Sequence, residues 1–269
     1  MDEALGQAID GQSPLLRLSG IHKHYRHALS SIHALSDINL QVDAGEMVAV
    51  CGPSGHGKTT LLNVIGLLEP ASAGSLVLDG IDVATLDERA RLALRARVIG
   101  PVFQCFRLIP VMTALENVML PLLLQGRRLT RPDYREARAF GAELLARVGL
   151  ATHIHHKPFH LDPGQCQRVA IARALVTRPR LVVADEPTSR LDGSALRMVL
   201  DVFAACQREQ GTAFVISTRD QRQLYRASRR LQLGDGRLAA QPAHQPRHVP
   251  KYVPRHPPQQ VVHPPRVPA

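Results

Sequence analysis

No stretch of this 269-residue chain approaches the roughly 18 to 20 uninterrupted apolar residues that span a bilayer. The best candidate, Val118 to Leu124, is seven residues long and contains Pro121. The opening Met1-Asp2-Glu3-Ala4-Leu5 is acidic and lacks an apolar h-region, so no secretory signal is expected. The four cysteines, Cys51, Cys105, Cys166 and Cys206, stand singly, without C-x-x-C pairs or metal-ligand spacing. That excludes a disulfide framework and suits a reducing compartment, with the cytosol as the expected location. No segment repeats at a fixed period. From Ala240 onward there are no acids at all, only Arg247, Lys251, Arg255 and Arg266 among the charged residues. The net charge of +10 is therefore partly local, and about +6 remains for the rest, where positives and acids are mixed. A solvated surface is the expectation, and no nucleic-acid partner is expected.

What is present is 45% hydrophobic sequence, enough for one large core, and a phosphate-binding pattern near its start. The apolar run Met47-Val48-Ala49-Val50-Cys51 leads into Gly52-Pro53-Ser54-Gly55-His56-Gly57-Lys58-Thr59-Thr60, and Leu61-Leu62-Asn63-Val64-Ile65 follows. This is G-x-x-x-x-G-K-[ST] between a predicted strand and a predicted helix. Glycines let backbone N–H groups turn toward the β- and γ-phosphates, and the helix presents its positive end to the same anion. Lys58 is expected to neutralise phosphate charge and the Thr59 hydroxyl to ligate Mg²⁺.

Upstream, residues 15–18 begin a strand, and residues 36–42 alternate apolar and polar as a half-buried strand does. Tyr25 lies between them, where an aromatic either stacks on a nucleotide base or simply packs. Downstream, residues 73–80 and 98–103 read as strands, the second ending at Gln104. From about residue 105 to 165 the periodicity turns helical, with apolar residues at i, i+3, i+4 spacing in 113–120 and 134–148. After His160-Leu161-Asp162-Pro163-Gly164-Gln165 comes a helical run over 166–176. Leu181-Val182-Val183-Ala184 is a buried strand that ends in Asp185-Glu186, acids placed where a central parallel strand meets a ligand crevice. Asp185 is expected to hold Mg²⁺ through water and Glu186 to polarise the attacking water. A last buried strand over 213–217 leads to Thr218-Arg219, and the fold closes near Leu238. Nine of twenty prolines fall beyond residue 240, so residues 239–269 are expected to form a disordered, basic, Pro/His-rich tail.

This order of motifs resembles the ATP-binding subunits of ABC transporters from about residue 15 to 238. The resemblance implies an α/β, P-loop NTPase fold. Its RecA-like mixed sheet core would carry an N-terminal antiparallel β region and a helical subdomain inserted at about 105–165, all within a nucleotide-binding domain of residues 1–238. It implies that Tyr25 stacks on adenine and that Gly52 to Thr60 cradle the phosphates. Gln104 would link Mg²⁺ and water to the transmembrane partner, and Ser189, Leu191 and Asp192 would belong to a loop crossing the dimer. The segments Val102-Phe103-Gln104, Leu108-Ile109-Pro110, residues 113–118 and residues 167–175 are similar, more narrowly, to the lipoprotein-releasing and macrolide-exporting branch. In the family two subunits sandwich two ATP molecules, each between one phosphate loop and the other subunit's Leu-Ser-Gly-Gly-Gln signature.

Here the signature reads Leu161-Asp162-Pro163-Gly164-Gln165. Asp162 replaces a hydroxyl donor with an acceptor-only carboxylate. Two unit charges ~4 Å apart at an effective dielectric of about 20 repel by about 4 kcal/mol. Pro163 removes a backbone N–H. Yet Asp is a favoured N-cap and Pro a favoured first helical residue, so the following helix is expected to start well. Arg219 stands where the family has its switch histidine. It remains a cation for the γ-phosphate but neither accepts a hydrogen bond nor titrates near neutrality. His56 replaces a small residue in the phosphate loop, with a mild expected effect.

The leading expectation is a subunit that binds Mg-ATP, dimerises and couples hydrolysis through Glu186, Gln104 and Arg219 to a membrane permease, lying peripherally on the membrane's inner face. Asp162, Pro163 and Arg219 motivate an alternative: a hydrolysis-poor, ATP-gated clamp or the regulatory half of a hetero-pair.

Overall fold

The computed structural model describes residues 13–27, 30–124, 130–219 and 226–239. The expected tail therefore falls, from residue 240 on, outside the described residues. Two sheets organise the chain. The first is antiparallel, in the order β2-β1-β4-β5, from β1 (Leu16–His27), β2 (Ser30–Val42), β4 (Ala73–Leu78) and β5 (Ile81–Asp82). The second has the order β10-β9-β3-β8-β7-β6 and is built from β3 (Met47–Cys51), β6 (Ile99–Val102), β7 (Leu181–Asp185), β8 (Ala213–Ser217), β9 (Arg229–Gly234) and β10 (Arg237–Leu238). All of its pairings are parallel except β9 with β10.

Alternation along these strands sends neighbouring side chains to opposite cores, because successive Cβ atoms point to opposite faces. On β7, Leu181 and Val183 join one buried cluster while Val182 and Ala184 join the other; on β8, Ala213 and Val215 separate from Phe214 and Ile216 in the same way. Burial on both faces is why these strands read as unbroken apolar runs. The first cluster takes the antiparallel sheet and α1 (Lys58–Ile65); the second takes α3 (Ala114–Leu124), α5 (Pro163–Leu175) and α6 (Gly193–Gln210), with Phe203 and Phe214 ring centroids 4.8 Å apart at its centre.

The helical stretch between β6 and β7 comprises α3, α4 (Arg131–Arg147) and α5. Pro121 lies inside α3 without ending it. Two helices went unread in the sequence: α2 (Glu88–Val98), capped by Asp87, and α6, capped by Asp192 and closed by Gly211 at φ 66°. Helix α1 begins at Lys58, directly after the glycine-rich loop, and α5 begins at Pro163 with Asp162 as its N-cap.

Candidate functional site

Phosphate-loop geometry follows from its glycines. A Cβ on Gly57, at φ 94°, would lie 2.4 Å from the Ala34 carbonyl oxygen, and one on Gly52 would lie 2.1 Å from that of Leu233. Neither position tolerates a side chain, so β2 and β9 back the loop and press it into shape. His56 adds a further tie: its Nδ1 accepts the Asp235 N–H at 2.9 Å, joining the loop to the β9–β10 turn. The replacement of a small residue by His56 is thus accommodated outward.

Lys58 is buried at 7% exposure, and its Nζ donates to the carbonyls of Gly52 at 2.8 Å and Pro53 at 2.7 Å. Both of these partners are neutral carbonyls, which satisfy donors of the Lys58 side chain without opposing its charge. One residue on, the Thr59 hydroxyl donates to Asp185 Oδ2 at 2.8 Å, while the Ser217 hydroxyl donates to Asp185 Oδ1 at 2.5 Å. Glu186 follows in the left-handed region at φ 48°, its N–H donating to Ser217 Oγ at 3.0 Å. A non-glycine residue held there is backbone strain at a chemically charged position. Arg219 Nε lies 3.1 Å from Glu186 Oε1, and a second guanidinium nitrogen donates to the Ser54 hydroxyl. One cation thereby joins the phosphate loop to the strand-end carboxylate.

A cavity of about 610 Å³ gathers these groups: Ser54 to Thr60, Asp185, Glu186, Arg219, Gln104 and Tyr25 all line it. Pro53 contributes through its carbonyl to Lys58, and Thr60 begins the wall toward Tyr25. Leu161 to Gln165 do not line the cavity, nor do Ser189, Leu191 and Asp192. Asp162 is the N-cap of α5, its carboxylate accepting the Gln165 N–H at 2.8 Å while Gln165 Oε1 accepts the Asp162 N–H at 2.9 Å. This closes a capping box, with Pro163 in the first turn. Gly164 is held against the next motif, since a Cβ there would lie 2.9 Å from the Arg190 carbonyl oxygen. Leu191 is buried, the Ser189 hydroxyl donates to the Glu186 carbonyl at 3.0 Å, and Asp192 caps α6. N–H groups of Ala195 and Ser194 and the Ser194 hydroxyl hold the Asp192 carboxyl below its usual range.

Ser217, Asp235 and Glu69 carry no motif and were missed in the sequence. Ser217 was legible only as the last residue of a strand, yet it orients both acids. Among the described residues, no group of three or more His, Cys, Asp or Glu side chains could hold a metal ion, and no helix is long and apolar enough to cross a membrane.

A sheet of parallel strands whose β3–α1 turn wraps a buried lysine, and in which β7, two strands along beyond β8, ends in paired acids, defines a P-loop nucleotide-binding protein. The comparisons narrow the class. The sequence profile of the ABC transporter family matches residues 35–189, and the chain belongs to that family. It is 44% identical over 225 residues to the lipoprotein-releasing system ATP-binding protein LolD of Bordetella pertussis, covering 84% of this chain and 95% of that one. It is 42% identical over 222 residues to the macrolide export ATP-binding/permease protein MacB of Syntrophobacter fumaroxidans, covering 82% of this chain and 31% of that one. Among solved structures it resembles an ATP-binding cassette dimer in a post-hydrolysis state with ADP and Pi, at TM-score 0.78 and 36% identity, covering 84% of this chain and 97% of that one. The expectation of an ABC-type ATPase subunit with a P-loop fold is borne out.

Proposed function

We propose that this chain is the ATP-hydrolysing subunit of a lipoprotein-releasing or macrolide-exporting type of transporter, seated on a membrane permease. The observation that carries the reading is the convergence of Lys58, the Thr59–Asp185 pair, Glu186 and Gln104 on one cavity. In this reading residues up to 238 work as one nucleotide-binding unit, with the helices of about 105–165 inserted between its strands.

The residues fit Mg²⁺: the Thr59 hydroxyl, the Asp185 carboxylate and the Gln104 amide are an all-oxygen donor set suited to a small hard cation. When bound, Mg²⁺ polarises the phosphates of ATP and offsets their charge. Lys58 and the N–H groups of the loop bind and orient the phosphate chain. Glu186 orients the attacking water and takes its proton. Arg219 holds the Glu186 carboxylate in place beside the loop and supplies a fixed positive charge toward the phosphate. Tyr25 stacks on the base.

In this reading the signature of a second cassette completes the site. Asp162 and Arg219, two of the departures from the family pattern, are opposite in charge, one at the N-terminus of α5 and one on the cavity wall. A dimeric arrangement of two cassettes, as in the solved ATP-binding cassette structure that this chain resembles, supports a second cassette as the source of that signature. Phosphate release by the purified subunit reconstituted with its permease tests the reading. Release is expected in the wild type and to fall at least about a hundredfold in Glu186→Gln, as loss of a positioned general base does. Equal release from both proteins would remove Glu186 from the mechanism.

A further inference from the structure

Tyr25, which lines the cavity, is held from behind by a residue that no motif flags and that is not itself part of the lining. Glu69 follows α1, in a turn where Leu67 takes φ 53° and the N–H groups of Leu68 and Glu69 both donate to the Asn63 carbonyl. Its carboxylate accepts the Tyr25 hydroxyl at 2.6 Å on Oε2 and the Asn63 side-chain amide at 2.8 Å on Oε1. Lys23 Nζ lies 3.5 Å from the same Oε2, donates to the Pro70 carbonyl at 2.9 Å, and stands 5.1 Å from the centroid of the Tyr25 ring. Burial opposes ionisation of Glu69, but the bonds from Tyr25 and Asn63 and the Lys23 charge outweigh it and hold the carboxyl below its usual range. Burial, together with the bond to Glu69, pushes the Tyr25 phenol up, so the phenol stays protonated and donating.

This network compensates for a weakness in the strand that carries the ring. The β1–β2 ladder shifts register between Leu18 and Ile21, between Ile21 and Lys23, and between Lys23 and His24, immediately before Tyr25. Tyr25 itself pairs in register with Ile32, but a ladder bulged this often on its approach twists and re-aims the strand, so the path from the sheet to Tyr25 is irregular. Glu69 fixes the ring from outside, and does so against α1, the helix that leaves the phosphate loop. Thr60 of that helix lines the cavity together with Tyr25. With the Lys23 ammonium over the ring, stacking is left to the face that Lys23 does not cover.

We propose that Glu69 is a positioning residue: it touches no part of the nucleotide and sets the distance and orientation between the base-stacking ring of Tyr25 and the phosphate cradle. The inference rests on the reading of Tyr25 as the base-stacking residue. The test measures KM and kcat for Mg-ATP and the inhibition constant of inorganic tripolyphosphate, which has no base, in the full-length chain. Glu69→Ala is expected to raise KM about fivefold to twentyfold, a part of what one charge-assisted hydrogen bond is worth, because the ring keeps its packing. Its kcat and the tripolyphosphate constant should stay within about twofold. Glu69→Gln is expected to recover most of the loss, since its amide oxygen still accepts from Tyr25 while the Asn63 amide turns over. Tyr25→Phe keeps the ring and deletes only the donor. It should match Glu69→Ala, and combining the two should add nothing.

If Tyr25→Ala raises KM while Glu69→Ala leaves it unchanged, the ring stacks without Glu69 and the proposal is overturned. Additive effects of Tyr25→Phe and Glu69→Ala also overturn it, as does a parallel loss of tripolyphosphate binding, which would mark general damage. No change even in Tyr25→Ala would instead remove the base-stacking reading on which the proposal stands. Should Glu69→Ala not fold, Tyr25→Phe carries the same comparison against Tyr25→Ala, with a KM equal to wild type as the contradicting result.

Discussion

Single residues explain both the strength and the strain of the site. Glu186 is both the strand-end acid and a non-glycine residue at positive φ, so the fold spends conformational energy to aim it. Arg219 neutralises it within the chain at 3.1 Å, a role the sequence could not show because it depends on β7 and β8 lying side by side. Arg219→His is expected to make turnover fall as pH rises through neutrality, as the imidazole loses the charge that Arg219 keeps, whereas the wild type should show no such limb; a pH–rate profile compares them. The Glu116 carboxyl is held below its usual range chiefly by the Thr113 N–H, with the Thr113 hydroxyl adding to it. A depressed folded-state value contributes stability above the ordinary carboxylate range, lost as pH falls through the folded-state value. Thermal unfolding of Glu116→Gln should therefore show a deficit against wild type at pH 7 that closes in acid. A deficit constant down to pH 2 would mean that the charge of Glu116 is not its source.

At the scale of elements, α5 shows how much of the site was legible. Asp162 and Pro163 break the family signature yet obey the rules for starting a helix, and the capping box forms as those rules direct. Asp162→Ala should accordingly cost about 1 kcal/mol in chemical denaturation, the usual worth of such a cap. Reversion by Asp162→Ser, Pro163→Gly and Arg219→His together should raise turnover; an unchanged rate would show the departures to be neutral. The strand–loop–helix of β3 and α1 was equally plain, since a fixed pattern and a strict backbone demand coincide there. Gly57→Ala should abolish ATP binding in a calorimetric titration, its Cβ having no room beside the Ala34 carbonyl. What was not legible is long-range. Glu69 reaches Tyr25 across 44 positions and His56 reaches Asp235 across 179, and no local spacing encodes either contact. Helices α2 and α6 carry no motif, and their N-caps, Asp87 and Asp192, are the local signals that mark where they begin.

For the whole molecule, Leu161 to Gln165 lie outside the lining of the cavity in their own chain, so the proposed reading requires a second cassette to supply a signature to it. The absence of tryptophan from the sequence offers a direct reporter, since Tyr25→Trp would place a single indole against the bound base, with ATP-dependent quenching expected. Most direct, however, is the mass of the particle that forms around ATP. Glu186→Gln, which is expected to bind ATP without consuming it, should run as two chains with two nucleotides in light scattering with Mg-ATP, and as one chain with Mg-ADP. A single chain that holds one ATP at saturating nucleotide and micromolar protein would contradict the account, because the altered signature would then not complete the site of a second copy.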